Sequence, residues 1–381
     1  MSLRLLHTSD WHLGRSLHDE PLLEDQAWAL ERLFALVKDE RPDALVVAGD
    51  LYDRAVPPPE AVGLLDDFLV RAAELGVPVI AIAGNHDSGE RIGFGARLLT
   101  SRGVHLRGRL GQETTPIELP GKGFVYALPF VEPEEVRARE LDDGLRGHAA
   151  ATARVLSRVR EDAATRALPT VLVAHAFVQG GAETRDSERP LSVGAAGSVP
   201  TETLDGFDYV ALGHLHEPQA PAERLRYSGS LLKYSFSEAG HRKGVLRVEV
   251  ERGAARVEEI ALGQKRDVVR LRGTLDDLLS RPEHAPHARD LVEATLLDAG
   301  YVFDAKRKLE RRFAHVLSVT REALAAGPAG EFAACVDGAG NDERKLFDAF
   351  LQKVAGAPPT GPEQAVFDAA LELVRRAEVE R

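Results

Sequence analysis

Seven residues of kinds that bind hard or borderline cations stand directly behind short apolar runs: Asp10 and His12, Asp50, Asn85, His175, and His214 with His216. Carboxylate and amide oxygens with imidazole nitrogens, and no thiolate, suit manganese and would also accept magnesium, zinc or iron. Asp10 and His12 are two apart, so at the end of a strand both leave the same side and can reach one ion. Asp50 follows Gly49, which lets the chain turn sharply, and its two carboxylate oxygens can bridge two cations. Asn85, His86 and Asp87 follow Gly84 in the same way. Taken singly, each has a plainer reading. A strand-end His is commonly hydrogen-bonded scaffold, Asn85 could form a turn, and Asp10 could cap a helix. Five strand ends supplying D-x-H, G-D, G-N-H, H and G-H-x-H in turn favour a metal site over those readings.

The elements that must position these residues follow from hydrophobic spacing. Apolar runs at 3–8, 44–48, 77–83, 171–174 and 209–212 read as strands, and the stretches 23–39, 60–75 and 146–167 as helices. Such alternation predicts an α/β layer fold with the ligands at the carboxyl edge of a sheet, where open α/β sheets bind their ligands. RYSGS, GVLRVEV and ARVEEI read as strands of a second sheet that closes a sandwich over the first. From Asp267 the character changes to strand-like VVRLRG, helix-like TLDDLLS, strand-like LVEATLLD and a basic helix candidate, AKRKLERRF. AAGPAG and GAGND read as linkers. In the tail, Leu346, Phe347, Phe350, Leu351 and Val354 repeat at helical spacing, as do Val366, Phe367, Ala370, Leu371 and Val374. Thr360, Pro362 and Glu363 between them form a T-x-x-E start signal for the second helix. The expected domains are therefore 1–265, 266–325, a linker 326–341 and a helix-turn-helix pair 342–381.

With 381 residues and 44% apolar content the chain can bury a sizeable core. Its single cysteine, Cys335, excludes an intramolecular disulfide, and the absence of a secretory pattern or an 18-residue apolar run leads us to expect a soluble, cytoplasmic protein. The net charge of -12 has the wrong sign for gripping a phosphate backbone through bulk charge. A nucleic-acid substrate would need a local grip, a borrowed one, or bound cations that invert the sign at the site.

The five clusters, in this order, resemble those of the calcineurin-like metallophosphoesterases. SDWHLGR, GDLYDRAVPPP, AGNHDS and ALGHLHEPQ further resemble the SbcD family of nuclease subunits, as do KYSFSEAGHRKGV, VVRLRGTL and FDAFLQKV. The resemblance implies a two-sheet α/β sandwich flanked by helices, a small α+β capping domain and a C-terminal helical pair. It implies that Asp10, His12, Asp50 and His216 hold one Mn2+ while Asp50, Asn85, His175 and His214 hold the other. Two such ions about 3.5–4 Å apart can orient a phosphodiester and neutralise the charge it develops. It implies that His86 faces the scissile phosphate as a catalytic group. Asp53, in G-D-x-x-D, is the candidate to hold the His86 tautomer; its plainer reading is a helix cap before PPPEA.

The same resemblance implies a 3′ to 5′ exonuclease on double-stranded DNA ends, with endonuclease action on single strands and hairpins, serving DNA repair and recombination. An SbcC-like SMC-type ATPase would be the partner, docked on the tail helices, and the nuclease domain would form a homodimer. Lys306, Arg307, Lys308, Arg311 and Arg312 in the basic stretch are candidates for DNA contact, against the plainer reading of a solvated face. The rival readings are a phosphatase or small-molecule phosphodiesterase, and a DNA-end scaffold without catalysis.

Overall fold

The computed structural model describes residues 2–184, 197–299, 302–322 and 343–379, and the chain divides into two compact units, Met1–Val268 and Val269–Arg381. The first unit holds two six-stranded sheets. One runs in the order Ala254–Ala261, Gly244–Glu251, Leu3–Thr8, Ala44–Val47, Val79–Ile82, Val104–Arg107. The other runs Gln219–Ala222, Leu225–Tyr227, Tyr209–Gly213, Thr170–His175, Gly123–Leu128, Ile117–Leu119. Four neighbouring strands in each sheet are parallel and the outer ones antiparallel.

Parallel strands covered on both faces need apolar side chains throughout, and Ala44–Val47 and Val79–Ile82 are buried along their whole length. Leu5, Val46 and Ile80 of the first sheet meet Val125, Val171 and Ala211 of the second in the layer between them. Leu33, Val37, Leu65 and Phe68 carry the helices Leu23–Glu40 and Pro59–Leu75 onto the outer face of the first sheet. Val155, Leu156 and Val159 of Gly147–Ala164 cover the second. Each such buried side chain contributes about 1.5–3 kcal/mol. Pro59 opens its helix, where a missing N–H costs nothing, and Gly76 ends it at φ 75°.

The strands fall where the apolar runs predict, but their division between sheets differs from expectation. GVLRVEV pairs antiparallel with the N-terminal strand, Leu3 opposite Val250, so it and ARVEEI extend the first sheet. The strands ending at His175 and Gly213 leave that sheet and build the second. The reason is physical: both sheets are parallel at their centres and covered on both faces, so their strands share one hydrophobic pattern. Only pairing decides which belongs where.

Buried polar groups help to fasten the layers, among them His7 and Asp208. His7 sits in the sandwich between the Tyr209 hydroxyl (2.9 Å) and the Leu212 carbonyl (3.2 Å), and burial keeps its imidazole neutral, with a pKa lowered to about 3. The Asp208 carboxylate accepts from the main-chain N–H of Thr170 (2.8 Å) and Gly253 (2.7 Å) and from Arg252 (2.9 Å). It thus ties a strand start in one sheet to a hairpin turn of the other.

From the boundary residue Val268 onward, Val268–Gly273, Leu291–Leu296 and His315–Arg321 form a three-stranded sheet over Leu278, Leu309 and Phe313. Thr274 and Asp277 make a reciprocal capping box at the helix Leu275–Ser280. The basic stretch is shorter as a helix than its sequence predicts, Ala305–Leu309, because Arg312 folds back and donates to the Leu278 and Arg281 carbonyls (3.2 and 2.5 Å). The tail forms Glu343–Val354 and Gly361–Val379, with the Phe347 and Phe367 rings stacked 4.1 Å apart. Glu363 accepts from the Thr360 main-chain N–H at 2.7 Å, as the start signal requires. Both predicted linkers, the Val354 and Val374 side chains and Cys335 lie outside the described residues. Among the described residues no helix is long and apolar enough to cross a membrane.

Candidate metal centre

The parallel strands of both sheets end at one edge, and there the seven candidate ligands meet. Asp10, His12, Asp50, His175, His214 and His216 are all buried, and Asn85 is half-buried. Non-glycine residues avoid the left-handed region, yet Asp10 (φ 53°), His12 (44°), Asp50 (51°) and His214 (110°) all occupy it. Each such residue costs on the order of 1–3 kcal/mol, and strain of this kind gathers at functional sites. Hydrogen bonds hold it in place: Asp10 N–H donates to Gly49 O and His12 N–H to Asp50 O, both at 3.0 Å.

The glycines of the motifs are explained by what stands against them. A Cβ on Gly84 would fall 2.5 Å from the Asp50 nitrogen and 2.7 Å from its Cγ. A Cβ on Gly49, whose φ is 94°, would strike the His175 ring. These backbones approach the ligands closely because they carry no side chain.

Asp10 accepts from the Ser9 hydroxyl (2.5 Å) and from the His214 main-chain N–H (3.0 Å). His12 Nε2 lies 3.0 Å from His216 Nε2 and 3.7 Å from Asp50. The Asn85 Oδ1 lies 2.9 Å from His175 Nε2 and 3.1 Å from His214 Nδ1, and Asp50 reaches His175 at 3.4 Å. Asp50 therefore stands between a His12/His216 side and an Asn85/His175/His214 side. Ligand atoms of Asp10, His12 and His216, and of Asp10, Asp50 and His175, come within 4.8 Å of one another.

The donor set fits a cation. The His175 Nδ1–H donates to the Ala48 carbonyl at 2.9 Å, so a neutral ring turns the lone pair of Nε2 toward the oxygens of Asn85 and Asp50. Acceptor facing acceptor in a buried site is unfavourable unless a positive charge lies between them. Burial lowers the His175 pKa, and without such a charge Asp50 overrides this and raises it to about 9, the ring taking up a proton in the cation's stead. Burial lowers His214 to about 3 and His216 below its ordinary value, leaving both neutral as metal ligation requires. Buried polar atoms of His12 (Nδ1), His214 (Nε2) and Asn85 (Nδ2) have no hydrogen-bond partner.

His86 is half-buried beside this cluster, its ring 4.7 Å from that of His12, and its main-chain N–H donates to Asp50 Oδ1 at 2.9 Å. Its Nδ1–H donates at 2.7 Å to the main-chain oxygen of Asp53, not to the carboxylate that the G-D-x-x-D spacing suggests. The Asp53 carboxylate faces Arg15 and Arg54 (3.7 Å each) and His12 Nδ1 (4.0 Å). Nor does Asp53 cap a helix, since Pro59–Leu75 starts after Pro58. The backbone carbonyl of Asp53, by accepting from Nδ1–H, favours that tautomer, which spacing alone does not reveal.

Three residues to which the sequence pattern assigned no role support the site. Asp87 accepts from the main-chain N–H groups of Leu51 (3.0 Å), Tyr52 and Gly84 (2.9 Å each), tying the loop of Asp50 to that of Asn85. Its signal was its place in GNHD. Glu238 and Lys243, both buried, lie behind His216; KYSFSEAGHRKGV also holds Lys233, His241 and Arg242, so nothing in the sequence singled these two out. In the second unit, Lys306, Arg307 and Arg311 are exposed and Lys308 half-buried, whereas Arg312 has the structural role described above.

A cleft of about 630 Å³ opens beside Asn85 and Asp87, walled by Phe130 and Arg109. It shares Gly89, Glu90, Gly108, Arg109 and Leu110 with a groove of about 690 Å³ that also carries Arg97 and Arg107.

The family model described as calcineurin-like phosphoesterase matches residues 3–218, and that of the SbcD-type C-terminal domain, described as type 5 capsule protein repressor C-terminal domain, matches residues 264–355. Among solved structures, the crystal structure of TT1561 of Thermus thermophilus is similar to 68% of this chain over 99% of its own, with 15% identity and a TM-score of 0.38.

Proposed function

Because the chain belongs to the calcineurin-like phosphoesterase family and carries an SbcD-type C-terminal domain, we propose that it is the DNA-cutting subunit of an SbcCD-type complex, acting in the cytoplasm in repair and recombination. The observation that carries the reading is the convergence of Asp10, His12, Asp50, Asn85, His175, His214 and His216 at one sheet edge, with His86 beside them. In this reading Asp10, His12, Asp50 and His216 hold one ion and Asp50, Asn85, His175 and His214 the second, manganese being the metal the donor set suits. Two ions at this place would neutralise phosphate charge and make water a competent nucleophile near neutral pH.

The protein's own part is positional and protic. Asp50, fixed by the His86 N–H, keeps the two halves of the centre together, and Asp87 holds the loops that present Asp50 and Asn85. Because the Asp53 carbonyl claims Nδ1–H of His86, a second proton on that ring resides at Nε2. There it can be given to the leaving sugar oxygen, or as a positive charge steady the phosphoryl oxygens.

The groove that carries Arg97 and Arg107 would suit a phosphate backbone leaving the site, a local basic strip on a chain of net charge -12, whereas Arg109 is paired with Glu90 and the cleft beside Asn85 carries Asp87, Glu132 and Glu135. Lys306, Arg307, Lys308 and Arg311 would add phosphate contacts from the second unit. Phe94 and Leu98, 86% and 80% exposed, would join two copies through the nuclease domain, and the exposed Phe350 and Val366 of the tail helices would dock the SbcC-like ATPase.

His86→Ala with Mn2+ and linear duplex or hairpin DNA tests the reading. The variant should bind two ions like the parent and lose cleavage by about 100-fold or more; full cleavage, or loss of an ion, would refute the role given to His86. Rapid hydrolysis of p-nitrophenyl phosphate esters by the parent with no DNA turnover would instead favour the small-molecule phosphodiesterase.

A further inference from the structure

Behind His216, on the side away from the other candidate ligands, lies a buried set of polar contacts that no step above uses, with the His241 ring at its margin 3.5 Å from Lys243. Its Nδ1 is 3.0 Å from Glu238 Oε1. The other Glu238 oxygen meets the Lys243 ammonium at 2.5 Å, and Lys243 also donates to the His216 carbonyl (2.7 Å) and the Ser230 hydroxyl (2.8 Å). The side chains of His216, Glu238 and Lys243 are at most 1% exposed. His216 follows a strand of the second sheet, whereas Lys243 immediately precedes the strand Gly244–Glu251 of the first, so the set spans both sheets just under the site.

A carboxylate can only accept, so the imidazole proton of His216 is drawn to Nδ1 and the lone pair is left on Nε2. That nitrogen faces His12 Nε2 at 3.0 Å and belongs to the Asp10/His12/His216 cluster. A metal-ligating His held through its second nitrogen by a carboxylate has its tautomer and ring plane fixed, and loss of such a partner typically weakens metal binding about 10–100-fold. Burying two charges is expensive, and a hydrophobic pair of similar volume often supports a fold as well or better. Keeping an ion pair here, with one carboxylate oxygen given to His216, is explained by a task at that ring.

We propose that Glu238 is a positioning residue for His216, and that Lys243 anchors it by binding the Glu238 carboxylate and the His216 carbonyl at once. The inference rests on His216 being a metal ligand, and names which buried groups make it one. The competing account is a purely structural ion pair that staples the 228–243 segment.

The experiment is a calorimetric Mn2+ titration of the full chain with the melting temperature of the metal-free protein recorded beside it. Single removal of Glu238 would leave the Lys243 charge buried and unpaired, so charge-neutral double variants are compared. Glu238→Gln with Lys243→Met keeps an acceptor for the His216 Nδ1–H; Glu238→Leu with Lys243→Met does not. The two should melt alike, with one Mn2+ bound about 10–100-fold more weakly in the Leu variant. Equal affinities in the two would overturn the proposal. Glu238→Asp covers the case in which the doubles do not fold: it keeps the ion pair, since the Lys243 stem can follow, but withdraws the carboxylate about 1.5 Å from His216. It should lose tenfold or more in one site; parent affinity would overturn the proposal. His216→Ala separates the two levels of the argument. Two ions bound by it as tightly as by the parent would remove His216 from the ligands, whatever Glu238 does.

Discussion

Gly84→Ala is the smallest perturbation that reaches the centre without replacing a candidate ligand. The added methyl would stand nearest to Asp50 Oδ1 and 2.5 Å from the Asp50 nitrogen, and ordinary contact begins near 3.4 Å, so the Asp50 and Gly84 backbones must separate by at least about 0.9 Å and the carboxylate oxygen must move further. Neither can do so freely. Asp50 Oδ1 is held by the His86 N–H (2.9 Å), the Asp50 carbonyl accepts from His12, and Gly84 N–H donates to Asp87 (2.9 Å). Overpacking of this kind costs about 1–3 kcal/mol, which for a unit of this size lowers the melting temperature by roughly 2–12 °C. The larger consequence falls on function, since a misplacement of about 1 Å at an active site can cost about 100-fold. The assay is Mn2+ titration together with hydrolysis of a small phosphodiester, which reports on the centre without any demand on DNA binding. We expect weakened binding of both ions, because Asp50 would serve both in the proposed centre, and catalytic efficiency toward the ester reduced by about 100-fold or more. Gly63→Ala is the matched control: a Cβ there meets nothing within 4 Å, on an exposed helical site, and should add about 0.5–1 kcal/mol of stability with activity unchanged. Gly84→Ala protein that folds, binds two ions with parent affinity and turns over normally would refute the claim that this close approach sets the position of Asp50.

Asp208→Asn should destabilise the sandwich by about 2–4 kcal/mol at pH 7. Burial alone would raise this carboxyl's pKa, but the Gly253 and Thr170 N–H groups and Arg252 hold it below the ordinary value. Its contribution is thus complete above the unfolded pKa and disappears as pH falls through the lower folded one, so urea melts of parent and variant should converge at the acid end and stay apart at neutrality. Arg97→Gln with Arg107→Gln should weaken the apparent affinity for DNA and lower the salt slope of DNA binding by about 1 per lost phosphate contact, leaving small-ester hydrolysis unaltered; an unchanged slope would take the groove out of the DNA path. Leu98→Glu should shift the protein toward monomer in sedimentation while two Mn2+ still bind, and a dimer of unaltered stability would discard the Phe94/Leu98 face.

The candidate ligands that meet at the sheet edge were legible in the sequence because metal chemistry restricts residue type and the strand-to-loop transition restricts place. An Asp, Asn or His directly behind an apolar run, with glycine beside it, is a local pattern, and at Gly49 and Gly84 the structure supplies its cause in a ring or carboxylate pressed against the missing Cβ. The strands were legible for a similar reason, since Ala44–Val47, Val79–Ile82 and Tyr209–Gly213 are buried on both faces and leave nearly unbroken apolar runs.

Which strands share a sheet was decided only by tertiary structure. Val250 finds Leu3 from the far end of the first unit, and the Ala48 carbonyl finds His175 from the other sheet, because pairing and packing satisfy groups that no local pattern links. The same holds for the supports of the site. The main-chain oxygen of Asp53 carries no residue-type signal at all, Arg312 closes a helix end instead of facing solvent, and Glu238 and Lys243 become neighbours of His216 only when the strand Gly244–Glu251 pairs into the first sheet. Residue type and spacing thus determined what the centre is made of, and the meeting of the two sheets determined how each ligand is held, since an imidazole's orientation depends on whichever acceptor the fold brings to its second nitrogen.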